Sequence, residues 1–402
     1  MTYLLPIVIL IGVIATMSWA QTAETVLSAR GWKEHHIKRA DDQGGWISHP
    51  AQIQFIHRGD EEGNSSAYGL AQMDNGEVVL AGTWRADSGG EEKTAIAFSR
   101  DRGETWSEFE PIGDVNGRPM MLAYLGQGNL TFEGDNRWLS NDYGQTWSAI
   151  PMQPAENGGL FLTEGNPLVD RNPNGIVTRM AEIGFNWGEP GRGRKFPDPA
   201  SAFIRWSNDG GRTWVDEVEP PTWRWQQTFN GESITRSVSE GSVVRAKNGW
   251  LVAALRTDMP PRYLANDSDH YEGTGVSVSK DEGRTWSPIE VLFEAGRMHA
   301  HLLRQANGDL VMTLIVRVDV RDGTLASYRR GCEAIVSQDN GLTWDLDRKY
   351  ILDDWTVVNP NENVWEIGSC GHVYSALLDD NSILTAFNNY VTKGISLVRW
   401  RR

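Results

Sequence analysis

Apolar and polar positions alternate along most of this chain with a period of two, in short runs broken by turn residues. Thr94-Ala95-Ile96-Ala97-Phe98, Gly275-Val276-Ser277-Val278 and the stretch from Gln52 to His57 are typical runs, and each predicts a strand. Asp74-Asn75-Gly76, Lys247-Asn248-Gly249, Ala306-Asn307-Gly308 and Asp379-Asp380-Asn381 each separate two such runs, which predicts β-hairpins. The chain therefore reads as all-β.

One turn recurs. Ser-x-Asp-x-Gly-x-Thr-Trp occurs at Ser99–Trp106, Ser140–Trp147, Ser207–Trp214, Ser279–Trp286 and Ser337–Trp344. In each copy the Asp carboxylate can accept backbone N–H bonds across the turn, Gly supplies a positive φ, and Trp packs back between sheets. Repeats of this length with several strands apiece predict blades of a β-propeller. Five copies plus a C-terminal unit, Gly371 to Arg402, give six blades of four antiparallel strands. An N-terminal strand near Gln52 is expected to complete the last blade.

The first twenty residues differ in kind. Leu4 to Met17 is apolar but short for a bilayer span, and Ser18-Trp19-Ala20 looks like a cleavage site, although no Lys or Arg precedes Leu4. The expected organisation is a signal peptide at 1–20, a polar lead-in at 21–45 and the propeller at 46–402, in a protein that is secreted or periplasmic and not membrane-bound once cleaved. A net charge of −15 argues against nucleic acid and anionic membranes as partners. The two cysteines, Cys332 and Cys370, exclude a disulfide scaffold, and both a single disulfide and two free thiols fit them. Among the 18 Trp residues, Trp84, Trp187, Trp223 and Trp225 are candidates for stacking on sugars or for the core. Asn186 to Pro199 reads as a long loop at the mouth of the cleft.

The repeated turn resembles the Asp box, or BNR repeat, of the sialidase (neuraminidase) superfamily, whose boxes lie away from the catalytic face. Three further stretches are similar to that family's exo-sialidases. Ser239-Glu240-Gly241-Ser242-Val243-Val244 leading to Leu255-Arg256 matches a catalytic Glu and a substrate Arg. Gly371-His372-Val373-Tyr374-Ser375 matches the segment of the nucleophilic tyrosine. Tyr328-Arg329-Arg330 sits where another substrate Arg is found. The resemblance implies a retaining exo-glycosidase acting on a terminal acidic sugar, sialic acid, with no cofactor or metal and a glycan as partner. Tyr374 would be the nucleophile, chosen over a carboxylate because the sugar is itself an anion, and Glu240 its base. Asp87 would be the acid, with Glu91 and Glu92 as rivals, and Arg256 with Arg329 or Arg330 would clamp the substrate carboxylate.

The chain departs from the family in its first blade. The family's Arg-Ile-Pro is replaced by Ser66-Ala67-Tyr68-Gly69-Leu70, leaving Arg58 or Arg85 to supply the missing cation beside Tyr68. His299 and His301 alternate on one strand and should share a face, with His372 on the face of Tyr374. His, Tyr and Arg around a cleft also suit a polysaccharide lyase or another glycosidase acting on uronate-containing glycans. A carbohydrate-binding propeller without catalysis is the third reading, favoured if Glu240 and Tyr374 do not hydrogen-bond.

Overall fold

A computed structural model of the protein describes residues 31–56, 64–86, 90–156, 161–186, 200–260, 272–321, 324–357, 370–389, 391–392 and 394–402. All sheets are antiparallel, and the single turn of 3-10 helix at Pro221–Trp223 is the only helical element among the described residues. One sheet runs Asn64–Gln72, Val78–Arg85, Lys93–Ser99, Glu110–Asn116. The next runs Met120–Gly126, Asn129–Glu133, Arg137–Ser140, Ser148–Ile150. In the third, Leu162–Thr163 and Leu168–Arg171 both pair with Val177–Asn186, followed by Ser201–Ser207 and Val215–Val218. The fourth adds Trp225–Phe229 to Glu232–Arg245, Leu251–Asp258, Gly273–Ser279 and Glu290–Phe293.

Apart from a two-stranded hairpin, Asp319–Arg321 with Thr324–Ser327, the remaining strands form one nine-stranded sheet made of two four-stranded sets and a bridging strand. Arg297–Arg304, Leu310–Val316, Arg329–Ser337 and Tyr350–Thr356 are the first set; Val373–Leu377, Ile383–Asn389, Gly394–Trp400 and Trp46–Ile56 are the second. Gln52–Ile56 pairs with Arg399–Ile395, so an N-terminal strand supplies the outer edge of the last set, as the sequence predicts. Lys33–Ala40, within the stretch expected to be an aperiodic lead-in, is also a strand and bridges the two sets. It escaped the pattern because Ile37 is its only buried residue; a turn in which Asp41 Oδ1 accepts from Gln43 N and Gly45 N, at 2.8 and 2.7 Å, holds it in place.

Apolar clusters link each sheet to the next. Val79, Leu122 and Phe132 join the first and second, Ala123, Met180 and Trp214 the second and third, and Ile183, Trp206, Val243 and Leu255 the third and fourth. Ala254, Leu302 and Met312 join the fourth to the following set, and Ile315, Cys332, Val373 and Phe387 join that set to the last. Leu70, Leu80, Tyr374 and Leu384 then pack the last against the first. The sheets thus close on themselves, which is the arrangement of a β-propeller and leaves the first strands facing a common centre.

All five repeated turns have one geometry. In the first, Asp101 Oδ1 accepts from Thr105 N and Ser99 Oγ, both at 2.8 Å, Oδ2 accepts from Thr105 Oγ1 at 2.6 Å, and Gly103 N donates to Ser99 Oγ at 2.6 Å. Asp142, Asp209, Asp281 and Asp339 do the same for Thr146, Thr213, Thr285 and Thr343. Two consecutive residues take positive φ, for example Arg102 at 63° and Gly103 at 89°, which is why Gly is required at the second. Burial acts against ionisation of Asp101, but the Thr105 and Ser99 hydrogen bonds outweigh it and hold the carboxyl below its usual range. Trp106, Trp214, Trp286 and Trp344 are buried in the inter-sheet clusters, as is Trp223, which packs edge-on to Trp286 at 5.2 Å.

A buried ion network ties the second sheet to the third. Glu182 accepts from Arg137 Nη2 at 2.8 Å and from Arg205 Nε at 2.7 Å, Arg137 also pairs with Glu133, and both guanidiniums lie over Trp214 at 4.8 and 4.9 Å. Cys332 and Cys370 are buried in one apolar cluster and are not joined by a disulfide, and Cys370 Sγ donates to Val316 O at 2.7 Å.

Candidate active site

Regular pleating would send alternate residues of the first strands to opposite faces, but bulges interrupt it at the centre. Val238 pairs with Thr257 and Gly241 with Leu255, so Ser239 and Glu240 together oppose Arg256. Met298 pairs with Ile315 and His301 with Thr313, placing His299 and Ala300 opposite Leu314, with His299 at φ 52°. Ala67 pairs with Gly82 and Gly69 with Ala81, so Tyr68 is the extra residue. Each bulge re-aims a side chain. As a result His299 and His301 do not share a setting, contrary to simple alternation.

Glu240, His299, His372 and Tyr374 line a cavity of about 10 Å³ together with Glu164, enough for roughly one water. His299 Nδ1 lies 2.5 Å from Glu164 Oε1 and 3.2 Å from Glu240 Oε2, and His372 Nε2 contacts the same Glu164 oxygen. The His299 and His372 rings meet edge-on at 4.5 Å, and Tyr68 lies against His372 at 4.8 Å. The juxtaposition of the two carboxyls has a backbone cause. Gly241 N donates to Glu164 O at 3.1 Å, and Gly165, at φ 112°, has no room for a Cβ, which would run into the Gly241 carbonyl. Two Glu-Gly dipeptides therefore stack, and their side chains enter one slot.

Arg256 is tied to this pair. It donates to Glu240 Oε1 at 2.7 Å and pairs with Glu272, with Asp258 Oδ1 at 3.7 Å from its Nε. Burial opposes its charge, but Glu240, Glu272 and Asp258 raise its pKa well above the ordinary value. Burial pushes Glu164 up to about 7, against the pull of Arg256, Arg118 and Arg317. Burial also raises Glu240, with Arg256 opposing and Glu164 adding to the shift. Tyr374 is raised well above the phenol range, first by burial and then by Glu164, with the Gly165 backbone opposing the shift. Burial, with His299, Arg118 and Arg317, keeps His372 neutral.

The other expected site residues fall in several places. His301 is buried beneath Tyr374, ring centroids 5.8 Å apart, and accepts from Ser375 N at 3.3 Å; burial lowers its pKa to about 3. It supports the tyrosine rather than facing the slot. Arg85 pairs with Glu92, which also accepts from Arg118 at 3.1 Å, and Arg118 lies over the Tyr68 ring at 5.5 Å. Glu91 is exposed. Arg329 is drawn to Asp319 and Glu333, away from the slot, and Arg330 is buried opposite Trp355. Asp87 and Arg58 lie outside the described residues.

Glu164, Arg118 and Arg317 were not singled out by the sequence. Arg317 Nη2 is 3.4 Å from His299 Nε2. Signals for two of them exist: Glu164-Gly165 duplicates Glu240-Gly241, and Arg317-Val318-Asp319 duplicates the strand-ending Arg256-Thr257-Asp258. Among the described residues, Glu164, His299 and His372 form a group able to hold a metal ion, with ligand atoms within 4.8 Å of one another. As placed, their oxygen and nitrogen atoms touch directly, as hydrogen-bonded groups do, instead of opening around an ion.

No family model matches the chain. It is 26% identical to a xyloglucanase of Paenibacillus sp over 46% of its own length and 20% of that protein's. It is 23% identical to a sialidase of Bacteroides fragilis (strain YCH46) over 54% of its length and 48% of that protein's. The chain thus spans from a fifth to about half the length of these curated relatives. A crystal structure of a protein of unknown function from Dyadobacter fermentans DSM 18053 is similar over 92% of this chain and all of that one, with a TM-score of 0.60 and 17% identity. An alpha-L-arabinanase of Penicillium chrysogenum, solved with arabinobiose, is similar over 91% of this chain and 98% of its own, with a TM-score of 0.52 and 13% identity. With its closed ring of sheets and five repeated turns, the chain has the fold of these propellers and is similar, over about half its length, to a sialidase.

Proposed function

We propose that the protein is an exported six-bladed propeller that acts as a retaining exo-glycosidase, with Glu164 and Glu240 as its working carboxyls. The observation that carries this reading is that both carboxyls reach one imidazole nitrogen of His299, at 2.5 and 3.2 Å, on the floor of the central cavity. Two carboxyl oxygens that both reach one nitrogen lie closer together than the ~6.5–9.5 Å of an inverting pair with a water between its carboxyls, which favours a retaining pair. The environments divide the roles. Glu240, paired with the Arg256 guanidinium at 2.7 Å, which opposes the upward push of burial, attacks the anomeric carbon as the carboxylate; Glu164, set between imidazoles, gives its proton to the glycosidic oxygen as the carbon–oxygen bond breaks. A water, deprotonated by Glu164, then attacks the anomeric carbon and frees Glu240.

A tyrosine nucleophile is the second reading. It is favoured by Tyr374 lining the same cavity and by three guanidiniums, Arg118, Arg256 and Arg317, acting on Glu164. These are the cations that a sialic acid carboxylate needs, and Glu240 would then serve as base to Tyr374, although no hydrogen bond joins the two here. The xyloglucanase and arabinanase likenesses support neutral sugars as well. The test is release of 4-methylumbelliferone from a panel of sialoside, arabinofuranoside, xyloside, glucoside and glucuronide conjugates. NMR of the first-formed anomer accompanies it. Turnover with retention, lost by 10³-fold or more in Glu240→Gln, is expected. An inverted product, or full activity in that variant, overturns the reading.

A further inference from the structure

A second concavity, of about 520 Å³, is lined by Arg297 and Asp319, which lie two positions along the chain from His299 and Arg317 of the slot. The strand Leu310–Val316 delivers Arg317 to His299 and continues directly into a two-stranded hairpin, Asp319–Arg321 with Thr324–Ser327. Only Val318 separates Arg317 from Asp319, so their Cα atoms lie within ~8 Å. Phe293, Arg297, Asp319, Arg321, Ser327 and Lys349 line the groove.

The charges there do not balance. Asp319 accepts from Arg297 at 2.5 Å, from Arg329 at 2.9 and 3.0 Å and from Ser327 at 2.8 Å; Glu333 takes Arg297, Arg329 and Lys349. Arg297, Arg321, Arg329 and Lys349 thus face two carboxylates, in a protein whose net charge is −15. Arg321 has no acidic partner among the described residues, and Arg329 Nη1 is buried without an acceptor. Phe293, with the Arg297 guanidinium 5.9 Å from its ring, adds an apolar wall against which a sugar ring can lie. We propose that this groove is an anionic-sugar subsite, binding the carboxylate or sulfate of a unit that flanks the one in the slot. The inference rests on the glycosidase reading for the slot and extends it to substrate class: an acidic oligosaccharide instead of an isolated terminal sugar.

The test is calorimetric binding to the Glu240→Gln chain. The probes are tetragalacturonate, its fully methyl-esterified form and a sulfated galactan tetrasaccharide. At least one acidic probe should bind tenfold or more tighter than the neutral ester. Arg321→Glu, at the exposed hairpin end, should remove that preference without changing the melting temperature, and Arg321→Lys should restore most of it. Equal binding of acidic and neutral probes, no binding of either acidic probe, or an unchanged preference in Arg321→Glu would overturn the proposal. Because no turnover is needed, a failure here is distinct from a failure of the aryl glycoside panel.

Discussion

Replacing Glu182 by Leu should destabilise the protein more than any single change of similar size on its surface. Glu182 is fully buried and bridges Arg137 and Arg205, themselves almost fully buried. Without it Arg137 keeps only Glu133 as a carboxylate partner, and Arg205 keeps only the carbonyls of Gln153 and Pro154, at 2.9 and 3.4 Å. Removing one partner of a buried pair costs ~3–5 kcal/mol because a charge is left uncompensated. With an unfolding entropy of ~2.1 cal/mol/K per residue over roughly 370 residues, that corresponds to a fall of about 4–6 °C in Tm. Tryptophan emission, from 18 indoles including Trp214 beside both guanidiniums, follows global unfolding during urea titration. Glu182→Leu combined with Arg205→Leu should recover a large part of the loss, since the stranded charge goes with it. A loss below about 1 kcal/mol in the single variant, or a double variant worse than the single, would refute the reasoning.

Three further outcomes follow from the same geometry. Gly165→Ala should cut turnover at least tenfold, because a Cβ at that position collides with the Gly241 carbonyl and separates Glu164 from Glu240; Gly175→Ala, a positive-φ turn with open space around it, is the control for backbone strain alone. Glu333 is buried, yet Arg297, Lys349 and Arg329 overcome that burial and lower its pKa to about 2. Its contribution, of order 3 kcal/mol, is complete above the ordinary value of 4.5 and disappears as pH falls towards 2, so Glu333→Gln should flatten the acid limb of a stability–pH curve. Asp101→Ala, which removes the three hydrogen bonds from Thr105 and Ser99, should lower stability by about 1–2 kcal/mol in urea unfolding and leave activity intact.

The repeated turns were legible because every position in them has a local job: Asp accepts, Thr and Ser donate, and Gly takes the positive φ. Hairpins at Gly76, Gly249 and Gly308 were legible for the same reason, and all three have positive φ. Glu240, Arg256 and Tyr374 were visible through the resemblance to exo-sialidase segments, Tyr68 through the departure from them, and His299 and His372 through strand alternation, and the fold brings them together. Glu164 was not, because it follows a two-residue strand, Leu162–Thr163, too short to show alternation. His301 was misplaced relative to His299 because a bulge adds a residue between Met298 and His301, which no period-two pattern reveals. Arg329 was expected in the cleft, but Asp319 and Glu333 compete for it across the hairpin, a tertiary pairing without a signature along the chain.

The most direct test of the carboxyl pair is covalent trapping. The protein is incubated with a fluorinated glycosyl fluoride of whichever sugar it turns over, digested, and the modified peptide located by mass spectrometry. A glycosyl ester on Glu240, absent in Glu240→Gln, is the predicted result. An adduct on Tyr374, or no adduct while the reagent turns over with inversion, would contradict the account.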